Sequence, residues 1–331
     1  MTVRKLTSYL HSVDVLVIGF FGILSLINIL FAARIPYWWQ MVLINCATSA
    51  LIYWLAYARA KTGWRIIRDI HEWYVAPLVF FSFKELYYMI YPLHNGRDYD
   101  DLLIAIDTWI FGVNPTEWLA QFSHPVLTEI LQIAYTSFYL LFIIVGHEFY
   151  RQKQIDYFLF FMFTIVYGFF LSYLGYFFLP AVGPRFTLHD FATLDTDLPG
   201  LLLTPYLRWF VNVGESIPLD VPSAVSMAGT QRDVFPSGHT MMTLVLMYLS
   251  AHWKVKSRYI VYVVGTLLII GTVYQRYHYV IDLIAGFFFA VLCIASAWPL
   301  YSWIKRRFDT LENRFPPTET GKHLQSMGIG F

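Results

Sequence analysis

The sequence predicts an all-α membrane protein, a helical bundle of about eight transmembrane helices, and three observations carry that expectation. Of the 331 residues, 57% are hydrophobic and only 14% charged, whereas an ordinary soluble domain carries about 25% charged residues. Aromatic residues reach 19%, with Trp and Tyr near the ends of apolar runs, where interfacial belts form. Apolar stretches close to the ~20 residues needed to cross the hydrocarbon core recur at roughly 14–34, 38–58, 73–93, 126–150, 155–181, 238–253, 258–275 and 279–304.

The first stretch follows the basic residues Arg4 and Lys5 without a small-residue cleavage site, so it is expected to be a retained helix rather than a removed signal peptide. The third contains Lys84 and Glu85. Adjacent helical residues point about 100° apart, so the two do not share a partner, and buried pairing inside the bundle is the expectation for them. The sixth stretch is short. No internal repeat or low-complexity segment interrupts the series. Two N-terminal helices (1–72), a six-helix core (73–304) and a polar, unstructured tail (305–331) are the expected parts.

Orientation follows from the bias of Lys and Arg in short loops. Arg59, Lys61, Arg65 and Arg68, then Arg151 and Lys153, then Lys254, Lys256 and Arg258, then Lys305, Arg306 and Arg307 join Arg4 and Lys5 on one side when eight helices are threaded in order. That side is the expected cytoplasmic face, and both termini fall on it. The connections 94–125 and 182–237 fall on the extracytoplasmic side, where a catalytic cap would sit. A net charge of +1 provides no basic field for nucleic acid. Cys46 and Cys293 lie in separate apolar runs and form no disulfide framework.

Three outer segments carry the candidate chemistry: PAVGPRF (180–186), FPSGHT (235–240) and RYHYVIDLIAG (276–286). His278 and Asp282 are four residues apart at a helix start, so they share a face with Cβ atoms about 5–6 Å apart. Asp282 can then fix the imidazole tautomer and leave Nε2 as a nucleophile or base; the bland alternative is an interfacial pair that anchors the helix. Ser237 and Gly238 open a helix whose free N–H groups suit phosphate oxygens. His239 in that first turn can protonate a leaving oxygen. Arg185 offers a fork of donors matched to phosphate, although an arginine at a helix end is commonly a snorkelling anchor. Arg276 is a second cation nearby. In-line phosphoryl transfer needs a nucleophile, an opposed acid and cations on the equatorial oxygens, and this set supplies each part with no metal and no cofactor.

FPSGHT followed by HYVID resembles the type-2 phosphatidic acid phosphatase superfamily over roughly 73–304. The resemblance implies a phosphohistidine on His278, orientation by Asp282, leaving-group protonation by His239 and phosphate binding by Ser237, Gly238 and Arg185. RDYDDLLIAIDTWIFG (97–112), GPRF and HYVIDLIAG look closest to the branch that includes inositol phosphorylceramide synthases. Two positions depart from the pattern. Phe178 stands where the family's first motif has Lys, and Thr272 where the third has Arg; Arg276 and Arg97 are the candidate substitutes.

The expected activity is cleavage of a phosphate ester of a lipid or headgroup, or transfer of the phosphoryl headgroup to a hydroxyl acceptor. The expected partners are a lipid phosphate or phospholipid substrate, membrane lipids and such an acceptor. A transporter, the reading from a different class, would place its polar residues near the membrane midplane, whereas here they gather at one interface. His94, His124 and His189 have no metal-like spacing and are expected at the surface or interface. Asp98, Asp100 and Asp101 are expected to lie on a solvated loop. Residues 200–214 are expected to lie as an amphipathic segment on the membrane.

Overall fold

In the computed structural model, residues 7–308 and 310–314 are described. Arg4, Lys5 and the part of the expected tail beyond residue 314 lie outside them. All regular structure among the described residues is helical. Helices stand in each of the eight expected regions: Ser12–Leu30, Trp38–Thr62, Val75–Leu93, the pair Pro125–Thr136 and Phe138–Arg151, Ile155–Gly175, Gly238–His252, Arg258–Tyr274 and Val280–Phe308. Four of them are long and apolar enough to cross a membrane, and a fifth joins them if the bent pair is one span. Leu30, Ile44, Leu51, Trp54 and Phe288 are exposed on these helices, as lipid-facing side chains must be where lipid is the solvent.

The fourth region is expected to be one straight helix, but it breaks at Ser137 with a bend of 50°. Thr136 donates to the Gln132 carbonyl (2.9 Å) and Ser137 to the Ile133 carbonyl (2.7 Å). Hydroxyls bonded back to the preceding turn bend helices in this way.

The chain divides into two compact units, residues 1–93, 149–170 and 292–331 in the first and 94–148 with 171–291 in the second. In the first, Ser12–Leu30 packs on Trp38–Thr62. Phe20 stacks on Phe170 at 3.8 Å, and Phe163 meets Tyr301 edge-on at 5.1 Å. Glu85 is buried and accepts from Asn28 (2.9 Å) and Asn45 (3.0 Å), so the expected buried pairing is with two amides, while Lys84 lies 5.7 Å over the Phe80 ring. Part of the supposedly unstructured tail is ordered: the last helix runs to Phe308, and the turn Leu311–Arg314 follows, with the Leu311 N–H donating to the Leu10 carbonyl at 2.8 Å.

In the second unit, Pro125–Thr136 packs on Arg258–Tyr274, which in turn packs on Gly238–His252. The amphipathic segment forms a helix, Thr204–Gly214, lying on Pro125–Thr136. Glu129 holds its start by accepting from the N–H groups of Leu201 (3.0 Å), Leu203 (2.6 Å) and Thr204 (3.0 Å). Leu202, Tyr206, Trp209, Phe210 and Val213 are exposed on it, while Arg208, Val211 and Asn212 are buried.

Candidate functional site

The second unit brings the three outer segments together through their backbones. The Arg185 N–H donates to the Arg276 carbonyl (3.0 Å), tying GPRF to the RYH turn. The Ser237 N–H donates to the Asp282 carbonyl (2.9 Å), tying PSGH to the start of Val280–Phe308. Gly183 sits at φ +94°, and a Cβ there would lie 2.9 Å from the Tyr277 carbonyl oxygen, so only glycine lets this loop approach the turn.

His278 follows the helix Arg258–Tyr274 after a tight turn in which Arg276 takes a left-handed conformation, φ +65°. Its Nδ1 lies 3.5 Å from Oδ2 of Asp282, the orientation the four-residue spacing predicts. Asp282 is fully buried; Oδ2 accepts from the Tyr279 N–H (2.8 Å), while Oδ1 and His278 Nδ1 have no hydrogen-bond partner. The His278 ring also bonds the Val234 carbonyl. Burial first, then the neighbouring His239, hold its imidazole well below the usual histidine range, so it is neutral near pH 7.

His239 stands in the first turn of Gly238–His252. Its ring is stacked on Tyr135 (4.5 Å, 25°), tilted against Phe138 (4.5 Å) and 6.0 Å from the His278 ring. Tyr135 and Phe138 flank the break at Ser137, so the unexpected bend supplies this aromatic clamp. Ser237 caps the helix, its Oγ accepting from the Thr240 N–H at 3.2 Å. On the side where Gly238 lacks a Cβ stand the Tyr176 hydroxyl and Ser172 Oγ. The glycine therefore admits a neighbouring helix end, in addition to the approach of a ligand that the sequence suggested.

Arg185 is no snorkelling anchor. Its helix ends at Gly175, and the arginine is buried on the short turn Pro184–Thr187. The guanidinium pairs with Glu215, reaches Asn212 Oδ1 (3.4 Å) and lies 5.0 Å over the Tyr277 ring. Its charge acts on both His239 and His278. Arg276, in contrast, sends its guanidinium to Asp197 at 2.8 Å. Arg97 lies 4.9 Å over the Tyr99 ring. Of the two departed positions, Phe178 is exposed, and Thr272 is fully buried and donates to the Ile269 carbonyl (2.7 Å).

Several supporting residues were not singled out from the sequence. Asp107 accepts from the N–H groups of Val280 and Ile281, both at 2.8 Å, and so caps the helix that carries Asp282. Asp100 was expected on a solvated loop but is buried. It accepts from Val182 (3.0 Å), Gly183 (2.9 Å) and the Tyr279 hydroxyl (2.8 Å), which leaves it committed to holding GPRF in place. Asp98 pairs with Arg232 at 3.2 Å. Gln275, beside the turn, accepts from Arg208 (3.0 Å) and donates to the Thr128 carbonyl (3.0 Å). The signal that would have found the two aspartates is their placement: Asp100 and Asp107 lie seven apart, two turns of one helix, Asp100–Phe111, and so share a face. His94, His124 and His189 each bond structural partners: the Phe177 carbonyl (2.9 Å), the Val126 N–H (3.3 Å) and Thr116 Oγ1 (3.1 Å).

The arrangement offers a neutral imidazole backed by a carboxylate, a second imidazole one small group away, and one arginine beside both. A family model described as the PAP2 superfamily matches residues 101–296, which include every one of these groups. No curated protein and no solved structure matches the chain.

Proposed function

Since the chain belongs to the PAP2 superfamily, whose members are phosphatases and phosphotransferases, we propose that it cleaves a phosphate ester of a lipid or lipid headgroup through a phosphohistidine on His278. As substrate enters, Nε2 gives up its bond to the Val234 carbonyl, the ring proton passes to Nδ1 toward Asp282, and the freed Nε2 lone pair attacks phosphorus. The P–O bond to the leaving group breaks as the N–P bond forms, and His239 gives the departing oxygen its proton. Water, or a hydroxyl acceptor, then attacks phosphorus, returns a proton to His239 and frees His278. The observation that best supports this reading is the 6.0 Å separation of the two imidazole rings beside Arg185. At that separation both rings can reach one phosphoryl group bound alongside them, the nucleophile needing about 3–3.5 Å to phosphorus and the acid hydrogen-bond reach of the leaving oxygen. Arg185, Ser237 and the backbone at Gly238 are the proposed phosphate contacts. Arg276 serves the site through its carbonyl, which positions Arg185.

A second reading, transfer of a phosphodiester headgroup as in inositol phosphorylceramide synthases, is favoured by the cation count. With Phe178 and Thr272 at the family's cationic positions and Arg185 paired with Glu215, the site suits a diester, which carries less charge than a monoester. In both readings the basic loops put the termini in the cytoplasm and the site on the extracytoplasmic face of an eight-span chain. The N-terminal pair of helices, the six-helix core and the tail are the parts proposed for it.

Purified protein assayed on lipid monophosphates, diphosphates and phosphodiesters, with and without polyol acceptors, tests this. Wild type is expected to turn over at least one lipid phosphate, and His278→Ala and His239→Ala to lose that activity. Unchanged turnover in both variants would sink the mechanism. Acceptor-dependent product without free phosphate would decide for transfer.

A further inference from the structure

The first unit holds a second buried cluster of polar side chains, where residues 10–14, the helix Arg65–Trp73 and the turn Leu311–Arg314 meet. A nitrogen from each of His11 and His71 and a carboxylate oxygen of Glu72 all lie within 4.8 Å of one another, and the three residues are buried. Each histidine has one nitrogen turned to a further carboxylate: His71 Nε2 is 3.0 Å from Asp14 Oδ2, and His11 Nδ1 is 3.6 Å from Glu312 Oε1. His71 Nδ1 and both nitrogens of His11 have no hydrogen-bond partner, and His11 Nε2 stands 3.5 Å from Glu72 Oε1.

We propose that His11, His71 and Glu72 bind a divalent metal ion of the zinc class, with Asp14 and Glu312 fixing the two imidazoles. Two imidazoles and a carboxylate are a mixed nitrogen–oxygen set suited to such ions. Metal-bound histidines donate their remaining N–H to a carboxylate, which fixes the tautomer and strengthens the ligand. Asp14 stands where that role requires, 3.0 Å from His71 Nε2, and Glu312 faces His11 Nδ1 across 3.6 Å, so His11 Nε2 and His71 Nδ1 are the nitrogens proposed for the ion. These outer partners are themselves anchored: Asp14 accepts from the Tyr74 hydroxyl (2.7 Å) and the His11 N–H (2.7 Å), and Glu312 from the Ser12 N–H (2.7 Å).

Charge points the same way. Three carboxylates are buried in the cluster, and Arg59, 2.8 Å from Glu72, supplies one positive charge. Two negative charges then remain, which one divalent ion between neutral imidazoles balances. Bound there, the ion would tie residue 11 to the helix Arg65–Trp73, two segments remote in sequence. The two-histidine site of the second unit takes no part in this proposal, so the two fail separately.

Full-length protein purified in detergent without added metal is expected to carry about one zinc-class ion per chain by elemental mass spectrometry. His11→Ala and His71→Ala are expected to lose at least about nine-tenths of it. After stripping with a chelator, titration with Zn²⁺ alone should restore one equivalent and raise the Tm. Co²⁺ in its place should give the visible absorption of a tetrahedral site. Should an alanine variant fail to fold, Asp14→Asn, which keeps all three ligands, is expected to weaken Zn²⁺ binding by about 10–100-fold. Wild type that is metal-free as purified and shows neither a Tm shift with Zn²⁺ nor a Co²⁺ spectrum overturns the proposal. Full metal content in His71→Ala would overturn it as well.

Discussion

His278 Nδ1 faces Asp282 Oδ2 across 3.5 Å, one helical turn deeper, and Asp282 Oδ1 has no hydrogen-bond partner. A carboxylate buried this completely and bonded to one backbone N–H is placed to orient an imidazole and to stabilise the charge it acquires. Asp282→Asn keeps the shape and disturbs the tautomer. The expected outcome is a loss of kcat of about 10³-fold or more, with KM little changed. Steady-state kinetics on the best substrate, beside a check that the variant retains its Tm, measures this.

Arg185 and Glu215 form an ion pair beside the two histidines. A phosphate arriving at Arg185 competes with that carboxylate. Glu215→Gln is therefore expected to lower KM by about tenfold, and Arg185→Ala to cut kcat/KM by about 10²–10³-fold. Arg185→Lys should recover only part of the loss, because an ammonium lacks the planar fork. A rise in KM for Glu215→Gln would show instead that the carboxylate holds Arg185 in its working position.

The neutral state of buried His278 sets a pH signature. Its folded pKa lies well below 6.5, so kcat/KM is expected to have no acid limb from this group between pH 8 and about 6.5; any such limb belongs below that. Below about pH 6.5 the unfolded chain binds a proton that the folded chain refuses, so stability falls as the pH drops from there toward the folded pKa. Unfolding in detergent at pH 7.5 and pH 5.5 checks this, and His278→Ala should remove its share of the difference.

Gly238 faces the Tyr176 hydroxyl and Ser172 Oγ with no room for a Cβ. Gly238→Ala is expected to destabilise the protein by about 1–3 kcal/mol, as other overpacked sites do. Pairing it with Tyr176→Phe, which removes the nearest atom, should restore part of that. If the double variant were no more stable than the single, the steric account would be wrong.

Asp107 accepts the first two N–H groups of the helix carrying Asp282. Asp107→Ala is expected to cost about 0.5–2 kcal/mol of stability, as for other lost helix caps. It should also lower kcat without preventing substrate binding, because the turn bearing His278 precedes that helix start. Comparing kcat and KM with the Tm separates this positioning role from simple unfolding.

Much of the site was legible in the chain because its logic is local. His278 and Asp282 share a face by helical spacing alone, and Ser237 caps a helix start that an apolar run announces. Arg185 was legible only as a residue type. An arginine after an apolar run is usually an anchor, and it takes the hydrogen bond from its own N–H to the Arg276 carbonyl to show that it turns inward. Asp100 and Asp107 look like ordinary acids of a polar loop; their burial comes from the backbone N–H groups of segments some 80 and 170 residues away. The break at Ser137 was hidden because Thr and Ser are tolerated in helices until their hydroxyls bond backward. The His11, His71 and Glu72 cluster was invisible for the same kind of reason: 60 residues separate its first two members.

By itself the sequence determined the all-helical membrane character, the helical regions and the His278–Asp282 pairing. Composition, apolar length and the 3.6-residue repeat each act within a few turns of one helix. The tertiary structure decided which groups meet: that His239 lies 6.0 Å from His278, that Arg185 rather than the Arg276 side chain stands beside them, and that Asp100 and Asp107 are structural. Those outcomes depend on burial and on hydrogen bonds that backbone groups of one segment must find in another, and such partners are set by packing across the chain, beyond the reach of local spacing.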